Sequence, residues 1–218
     1  MSTIQASDVT VVIPVFNGAR YLEQAVDSIR SQTLSTPQII VVDDGSTDET
    51  PQVCQKLEPE VLSLRQENKG AAAARNRGIE TSNSRFISFL DADDLWPVER
   101  LSVLCKHLEK APELDFVLGQ TQVFCGAEYR QPHHHWLLGS GLYRKRVFEK
   151  IGILEPELRA GEDLDWFLRA RRQKAKFSLL TETTLFLRRE KQNMTHNKTL
   201  KELNFLKVIK RHMDGRRS

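Results

Sequence analysis

The chain has 218 residues, of which 39% are hydrophobic and 28% charged, and its formal net charge is +3. This composition is close to the average for globular domains and excludes a wholly disordered chain. The longest apolar run is far shorter than the roughly 20 residues that a membrane-spanning helix needs, and no signal peptide is recognisable. Three widely spaced cysteines, Cys54, Cys105 and Cys125, are typical of a reducing compartment, so the sequence predicts a cytoplasmic protein.

The charge is unevenly distributed along the chain. Residues 198–218 hold seven Lys or Arg against Glu202 and Asp214, a local charge of +5, so the remainder carries 3 − 5 = −2. A slightly acidic body does not favour nucleic acid as a partner. Leu200–Met213 predicts a basic amphipathic helix, which either docks on the core or makes peripheral contact with the inner face of the membrane.

Strands and helices alternate over the first 110 residues. Continuous apolar or β-branched runs predict four strands: Val9–Val15, Gln38–Val42, Val61–Arg65 and Phe86–Leu90. A helix is predicted after each of them: around 21–29, after a cap at Thr47 or Asp48 with Pro51 in the first turn, over 71–80, and over Pro97–Lys110. This alternation predicts a largely parallel, three-layer sheet.

The second half of the chain is less regular. Strands are predicted at Phe116–Phe124 and Phe177–Leu187, a strand-turn-helix unit at 139–152, and a short helix at Leu164–Arg172. No linker or repeat separates the halves. We therefore predict one domain over 1–218, made of a half at 1–112, a smaller half at 113–197 and a C-terminal helix at 198–218.

Ligands of parallel sheets bind beyond the carboxyl ends of the strands. Four segments are predicted there: Pro14–Asn17, Asp43–Ser46, Asn68–Gly70 and Asp91–Asp94. Their carboxylates repel one another, so a cation or hydrogen-bond donors must compensate, and magnesium or manganese suits such oxygen ligands. Aspartates that only form turns and helix caps would explain the same residues.

Two common nucleotide motifs are missing. The turn after the first strand has a single glycine and no G-x-G-x-x-G, and G-x-x-x-x-G-K-[ST] does not occur, so neither dinucleotide binding nor a P-loop is supported. A nucleotidyltransferase would need a glycine-rich phosphate loop near that strand. A phosphatase with an aspartyl nucleophile would carry the aspartate on the first strand, whereas Asp91 follows the fourth.

Four blocks then occur in order within about 90 residues: VVIPVFNGARYLEQAVDSIRSQT, IIVVDDGSTDET, NKGAAAARNRGIE and FISFLDADDLWPVERL. Together they resemble the family 2 glycosyltransferases, inverting enzymes of the GT-A fold. A later block, GSGLYRKRVFEKIGILEPELRAGEDLDWFLRA, resembles the acceptor half of that family. The likeness covers roughly residues 9–190 and implies that 1–112 is the nucleotide-sugar-binding half and 113–197 the acceptor half.

The resemblance implies a role for several residues of the donor half. Three residues would line the nucleotide base: Pro14, Val15 and Phe16. Asp44, with Asp43 beside it, would hydrogen-bond the uracil of a UDP-sugar, and Arg75 would lie near the base and the diphosphate. Asp91 would face the ribose and, with Asp93, form the D-x-D pair that holds Mn²⁺ or Mg²⁺.

The resemblance also implies a catalytic base. Asp163, preceded by Glu162, matches the acidic pair of the family, and the helix start there keeps a carboxylate ionised. Simple capping of that helix is the competing interpretation. The expected function is metal-dependent, inverting transfer of one sugar to a hydroxyl of a glycan, a lipid-linked saccharide or a peptide. The alternative is a degenerate GT-A module that binds sugar nucleotide or glycan without turnover.

Two further features stay open. The family often places a histidine near residues 188–196 to complete the metal shell, but His196 comes late and Glu190 holds the expected position, so the third protein ligand is unassigned. The run His133–His135 does not predict a three-histidine site, because adjacent residues of an extended chain point to opposite faces. The Q-x-x-R-W motif of processive synthases is also missing, which favours a single addition.

Overall fold

The computed structural model describes residues 3–190 together with Val208 and His212. The strands in this part of the chain are β1 (Val9–Val15), β2 (Gln38–Asp43), β3 (Val61–Arg65), β4 (Phe86–Phe89), β5 (Phe116–Cys125), β6 (Glu128–Tyr129), β7 (Gly141–Arg144) and β8 (Phe177–Arg188). The α-helices are α1 (Ala19–Arg30), α2 (Thr50–Leu57), α3 (Ala71–Thr81), α4 (Arg100–Lys110), α5 (Arg146–Ile151) and α6 (Glu162–Arg172).

All eight strands form one sheet that runs through both predicted halves. Its order is β3-β2-β1-β4-β7-β5-β6, with β8 paired to β5. The first four strands are mutually parallel, and β7 joins them to β5 through antiparallel pairs. β1 lies between β2 and β4. The connection from β1 runs to β2 on one side, and the connection from β3 crosses to β4 on the other, which opens a crevice at the carboxyl end of β1.

Helices cover both faces of this sheet. On β1, alternate residues enter different cores: Val11 and Ile13 pack with α1, α2 and α4, whereas Val12 packs with α3, α5 and α6. Every residue of β1 is buried, as its unbroken apolar sequence predicts. The architecture confirms the predicted class, a Rossmann-like three-layer sheet of mostly parallel strands.

Helix boundaries differ from the predicted ones where the preceding residues bond elsewhere. The predicted helix at Pro97–Lys110 begins only at Arg100, since the carbonyl of Pro97 accepts from the side chain of Gln32 at 2.9 Å. The cap predicted at Thr47 or Asp48 is wrong in position, because α2 begins at Thr50 and its N-cap is Glu49; Asp48 accepts from the N–H of Thr50 at 3.0 Å from one residue further back. The helix predicted at Leu164–Arg172 begins two residues earlier, at Glu162.

The predicted tail helix at Leu200–Met213 lies outside the described residues except at two positions. Val208 is buried, and His212 lies 3.0 Å from the carboxylate of Asp165 on α6. Among the described residues, no helix is both long enough and apolar enough to cross a membrane. Whether the tail contacts a membrane stays a prediction.

A close approach of α3 to β1 yields the first prediction, Gly78→Ala. A methyl group at Gly78 would lie 2.2 Å from Cγ1 and 3.0 Å from Cβ of Val12, so rotating the valine cannot relieve the clash. Overpacking costs about 1–3 kcal/mol, more than the roughly 1 kcal/mol that alanine gains over glycine in a helix. We expect urea denaturation to show that G78A lowers the free energy of unfolding. The loss should be smaller when G78A is introduced into a V12A variant and compared with V12A alone. A G78A variant as stable as the wild type would contradict this packing.

Candidate functional site

The loops after β1 and β2 form one side of the crevice. Asn17 adopts a left-handed backbone conformation with φ of 52°, and its side-chain oxygen accepts from the N–H of Thr47 at 2.8 Å. Of the three residues predicted to line a nucleotide base, Pro14 and Val15 are buried within the sheet, whereas Phe16 is 51% exposed. Phe16 is therefore the one whose ring is open to a ligand.

The two aspartates at the end of β2 are buried but differ in their hydrogen bonds. Asp44 accepts from the backbone N–H groups of Lys69 and Gly70 at 2.8 and 2.7 Å and from the side chain of Gln66 at 2.8 Å. Its carboxylate thus fixes the loop before α3. Asp43 accepts from Ser46 through Oδ1, while its Oδ2 has no hydrogen-bond partner among the described residues.

Arg75 joins the two halves of the site. Its guanidinium contacts Asp91 at 2.6 Å and Glu162 at 2.7 Å, and it lies 3.8 Å from Asp163. The arginine side chain is only 6% exposed, so these carboxylates attract it through little water. Their charges raise the pKa of Arg75 against the opposing effect of burial. The structure places this arginine beneath the crevice, within a carboxylate cluster rather than on the open rim.

Asp163 lies in the first turn of α6 and faces the loop before β7. Its Oδ2 accepts from the backbone N–H of Leu138 at 2.9 Å, and its buried Oδ1 has no hydrogen-bond partner among the described residues. Burial raises the pKa of Asp163 to about 7, with Glu162 and Asp91 adding to the rise and Arg75 opposing it. Such a carboxyl exchanges protons near neutral pH, so the prediction that the helix start keeps it ionised is wrong: burial outweighs the helix dipole.

The segment after β4 carries three aspartates in different environments. The Asp91 side chain is 47% exposed, Asp93 is half-buried and Asp94 is buried. Burial raises the pKa of Asp94, and the charges of Asp93 and Asp91 raise it further. The backbone around these residues is held by Arg188, which donates through its main-chain N–H to Asp94 at 2.8 Å and through Nε to the carbonyl of Asp93 at 2.7 Å.

These aspartates fit a divalent cation with few protein ligands. In the described part of the chain, no group of three or more His, Cys, Asp or Glu is positioned to hold a metal ion. Asp91 and Asp93 still offer hard oxygen donors, and the side chain of Asp91 is 47% exposed although it also contacts Arg75 at 2.6 Å. Magnesium is often bound through one or two carboxylates together with substrate phosphates.

The position of the expected histidine ligand is occupied by Glu190. Its carboxylate accepts from the hydroxyl of Tyr21 at 2.5 Å and lies 3.6 Å from Arg20, so it ties the end of β8 to α1. His196 lies outside the described residues. The third protein ligand therefore stays unassigned.

The sequence analysis gave no role to Arg100, which holds the backbone near Asp163 through hydrogen bonds. This buried residue donates to the carbonyls of Gly139, Gly141 and Thr184 at 2.8–2.9 Å, and its guanidinium lies 3.7 Å from the ring centroid of Trp96. It thereby anchors the loop that presents the N–H of Leu138 to Asp163. The sequence does not reveal this role, because an arginine at the start of a helix is equally typical of an exposed position.

Comparison with known proteins places these features in a family. The model of the family described as glycosyl transferase family 2 matches residues 10–190. The glycosyltransferase GlyA of Streptococcus pneumoniae is 33% identical over 150 residues, which are 67% of this chain and 21% of that protein. The uncharacterized glycosyltransferase RP339 of Rickettsia prowazekii is 34% identical over 187 residues, covering 73% of this chain and 57% of its own length.

A more distant relative and a solved structure cover nearly the whole chain. The uncharacterized glycosyltransferase EpsJ of Bacillus subtilis is 26% identical over 94% of this chain and 66% of its own length. The crystal structure of Staphylococcus aureus TarS 1-349 in complex with UDP-GlcNAc superposes with a TM-score of 0.77 at 20% identity, over 94% of this chain and 65% of that one. The chain thus spans from a fifth to two thirds of the length of these proteins.

Proposed function

The chain belongs to glycosyl transferase family 2 and has the GT-A fold, and from this premise we propose that it transfers one sugar from a UDP-sugar to an acceptor hydroxyl. Residues 1–112 bind the donor, and 113–197 supply the acceptor side. Acceptors of the predicted classes, a glycan, a lipid-linked saccharide or a peptide, all carry such a hydroxyl.

One observation carries this proposal: a single buried guanidinium joins the D-x-D segment to the acidic pair of α6. Arg75 contacts Asp91 and Glu162 at 2.6 and 2.7 Å, although Glu162 lies 87 residues further along the chain. A transferase needs the donor diphosphate and the acceptor's base in one cleft. This ion-pair network supplies that proximity.

The donor half offers separate contacts to the face and to the edge of the uracil base. The exposed ring of Phe16 stacks on uracil, since aromatic rings bind the faces of nucleotide bases. Asp43 is better suited than Asp44 to accept from the uracil N–H, because its Oδ2 makes no hydrogen bond and lies 3.4 Å from the guanidinium of Arg65, whereas both oxygens of Asp44 accept hydrogen bonds. The solved structures of TarS 1-349 in complex with UDP and with UDP-GlcNAc support a uridine donor.

Asp93 and Asp91 would hold Mn²⁺ or Mg²⁺ at the diphosphate. When bound, such an ion neutralises the phosphates and stabilises the departing nucleoside diphosphate. The D-x-D carboxylates alone would repel a diphosphate, so donor binding depends on the divalent cation. Arg188 keeps this segment in place through the carbonyl of Asp93.

Asp163 acts as the general base. The acceptor hydroxyl gives its proton to the carboxylate as its oxygen attacks the anomeric carbon from the face opposite the leaving group, which inverts the configuration. The oxygen Oδ1 is free of hydrogen bonds among the described residues, whereas Leu138 holds Oδ2. Glu162 shares the charge of Arg75 and positions the guanidinium beside the base.

The test is titration calorimetry of UDP in the presence and absence of Mn²⁺, followed by UDP release from UDP-GlcNAc. We expect UDP to bind at least tenfold more tightly with Mn²⁺, and Asp93→Asn to remove that dependence without lowering thermal stability. Glu157→Gln, an exposed carboxylate outside the crevice, is the matched control.

Each result has a defined meaning. A wild-type chain that fails to bind UDP with Mn²⁺ contradicts the UDP-sugar proposal. Metal-dependent binding without UDP release, for any acceptor offered, favours the degenerate binding module instead. Equal UDP affinity with and without metal would remove the metal from the proposal and leave the donor site in place.

A further inference from the structure

A cavity separate from the crevice has no role in the mechanism described above. It has a volume of about 610 Å³ and is formed by the β5–β6 hairpin, the loop that follows it, and the end of β8. Its lining residues are Val123, Cys125, Arg130, Gln131, His133, His135, Arg189 and Glu190.

Four of the eight residues that line the cavity have cationic or imidazole side chains. Two arginines and two histidines face one carboxylate, and that carboxylate, Glu190, already accepts from Tyr21. Burial lowers the pKa of His135, and the neighbouring His133 and Arg189 lower it further, as expected where positive groups crowd together. Among the described residues, no carboxylate forms an ion pair with Arg130 or Arg189.

The histidines contribute as alternate residues of an extended segment. His133 and His135 line the cavity and His134 does not, as expected where adjacent residues of an extended segment point to opposite faces. His133 is held by a pair of backbone hydrogen bonds with Thr121 of β5, at 2.8 and 3.0 Å. Because the described residues offer no group suited to a metal ion here, these imidazoles are available to an anion.

The position of the cavity connects it to both parts of the site. Arg189 directly follows Arg188, which binds the carbonyl of Asp93 at 2.7 Å. At the other end, the loop that carries His133 and His135 continues to Leu138, whose N–H holds Asp163. A molecule in this cavity therefore lies between Arg189, which follows the arginine that holds the D-x-D segment, and the loop that leads to Leu138 and Asp163.

We propose that this cavity binds the acceptor and selects one that carries a phosphate group near the hydroxyl that receives the sugar. The assignment rests on the proposed function, since it names the acceptor class of that same transferase. A neutral sugar gives no reason for four cationic or imidazole side chains around one space. A phosphate offers several charged oxygens to two guanidiniums and two imidazoles, whereas a carboxylate offers only two.

The experiment uses the full chain with histidine side chains labelled with ¹⁵N and three small probes. Glycerol 3-phosphate carries hydroxyls and a phosphate, glycerate carries a carboxylate, and glycerol is neutral. We expect glycerol 3-phosphate to shift the imidazole signals of His133 and His135 but not that of His107 on α4. Arg130→Gln and Arg189→Gln should each weaken its binding about tenfold. Arg171→Gln, an exposed arginine of α6, should leave it unchanged.

A parallel UDP titration separates this proposal from the function on which it rests. Unchanged UDP affinity in R130Q and R189Q supports an acceptor subsite. An equal loss of UDP affinity would overturn it, because the cavity would then bind the donor diphosphate. Absence of histidine shifts with glycerol 3-phosphate, or equal binding of glycerate or glycerol, would also overturn it. Failure of the wild type to bind UDP would instead contradict the proposed function.

Discussion

Replacing Asp163 with asparagine is expected to lower the rate of sugar transfer by about 10²–10⁴-fold, the range that a general base contributes. The amide keeps the size of the side chain and can still accept from Leu138, but it cannot take a proton from the acceptor. The affinity for UDP should be unchanged, because the base acts on the other substrate. The measurement is UDP release under saturating donor, with binding followed by calorimetry.

The pH dependence of the wild type gives an independent test of the same residue. Because the pKa of Asp163 is raised to about 7, kcat/KM should increase with pH and level off above pH 8, reaching only about a tenth of its plateau at pH 6. D163N should lose this dependence. A wild-type profile that is flat between pH 5.5 and 8 would contradict a base with this raised pKa.

Stability provides the control for D163N. The folded pKa of Asp163 lies above its ordinary value of 3.8, so folding favours the protonated form and its contribution to stability falls as pH rises from about 4 to 7. Asparagine removes this loss. The variant should therefore unfold at a temperature no lower than that of the wild type at pH 8, and a large drop there would show that the activity loss reflects misfolding.

The change Arg75→Leu is expected to have the largest effect on stability. It removes the one guanidinium that contacts Asp91 and Glu162 and lies 3.8 Å from Asp163, and so leaves carboxylates with uncompensated charge. Breaking a buried ion pair from one side costs about 3–5 kcal/mol. For a chain of this size, that lowers the melting temperature by roughly 6–20 °C. Differential scanning calorimetry measures the change.

Arg75→Lys is the matched control because it keeps the charge but cannot hydrogen-bond two carboxylates in the same geometry. We expect a smaller loss of stability and a pH profile shifted to higher pH, since Arg75 opposes the rise in the pKa of Asp163. R75L with unaltered stability would mean that the network contributes nothing to the fold. An R75K profile shifted to lower pH would contradict the proximity of the guanidinium to the base.

Much of the donor half could be predicted from the sequence because its signals are local. An uninterrupted apolar strand such as Val9–Val15 has one stable environment, the centre of a covered sheet, and the residues after it must then lie at the sheet's carboxyl edge. The D-x-D segment and the acidic pair were recognisable as motifs. Their roles in binding and catalysis stay predictions.

The remaining parts depend on contacts between distant residues. Nothing in the local sequence indicates that Arg75 pairs with Glu162 rather than with a ligand, since Glu162 lies 87 residues further along the chain and reaches Arg75 only in the folded structure. The buried contacts of Arg100 with Gly139 and Thr184 depend likewise on strands that are far apart in the chain. The cavity beside β5 brings together the end of that strand, the loop after β6 and the residues after β8, and their proximity follows only from the folded structure.

The anchoring by Arg100 has a consequence for how acceptor choice can be changed. The segment from Gly126 to Leu137 is fastened near its middle by the Thr121–His133 hydrogen bonds, and beyond its end by the carbonyls that Arg100 holds. Substitutions at cavity residues ahead of His133, such as Arg130 and Gln131, are therefore expected to change the cavity lining without moving the N–H that Leu138 donates to Asp163. In the proposed transferase, acceptor recognition and proton transfer would thus depend on separately held stretches of backbone, and a designer could exchange the first while the base keeps its geometry.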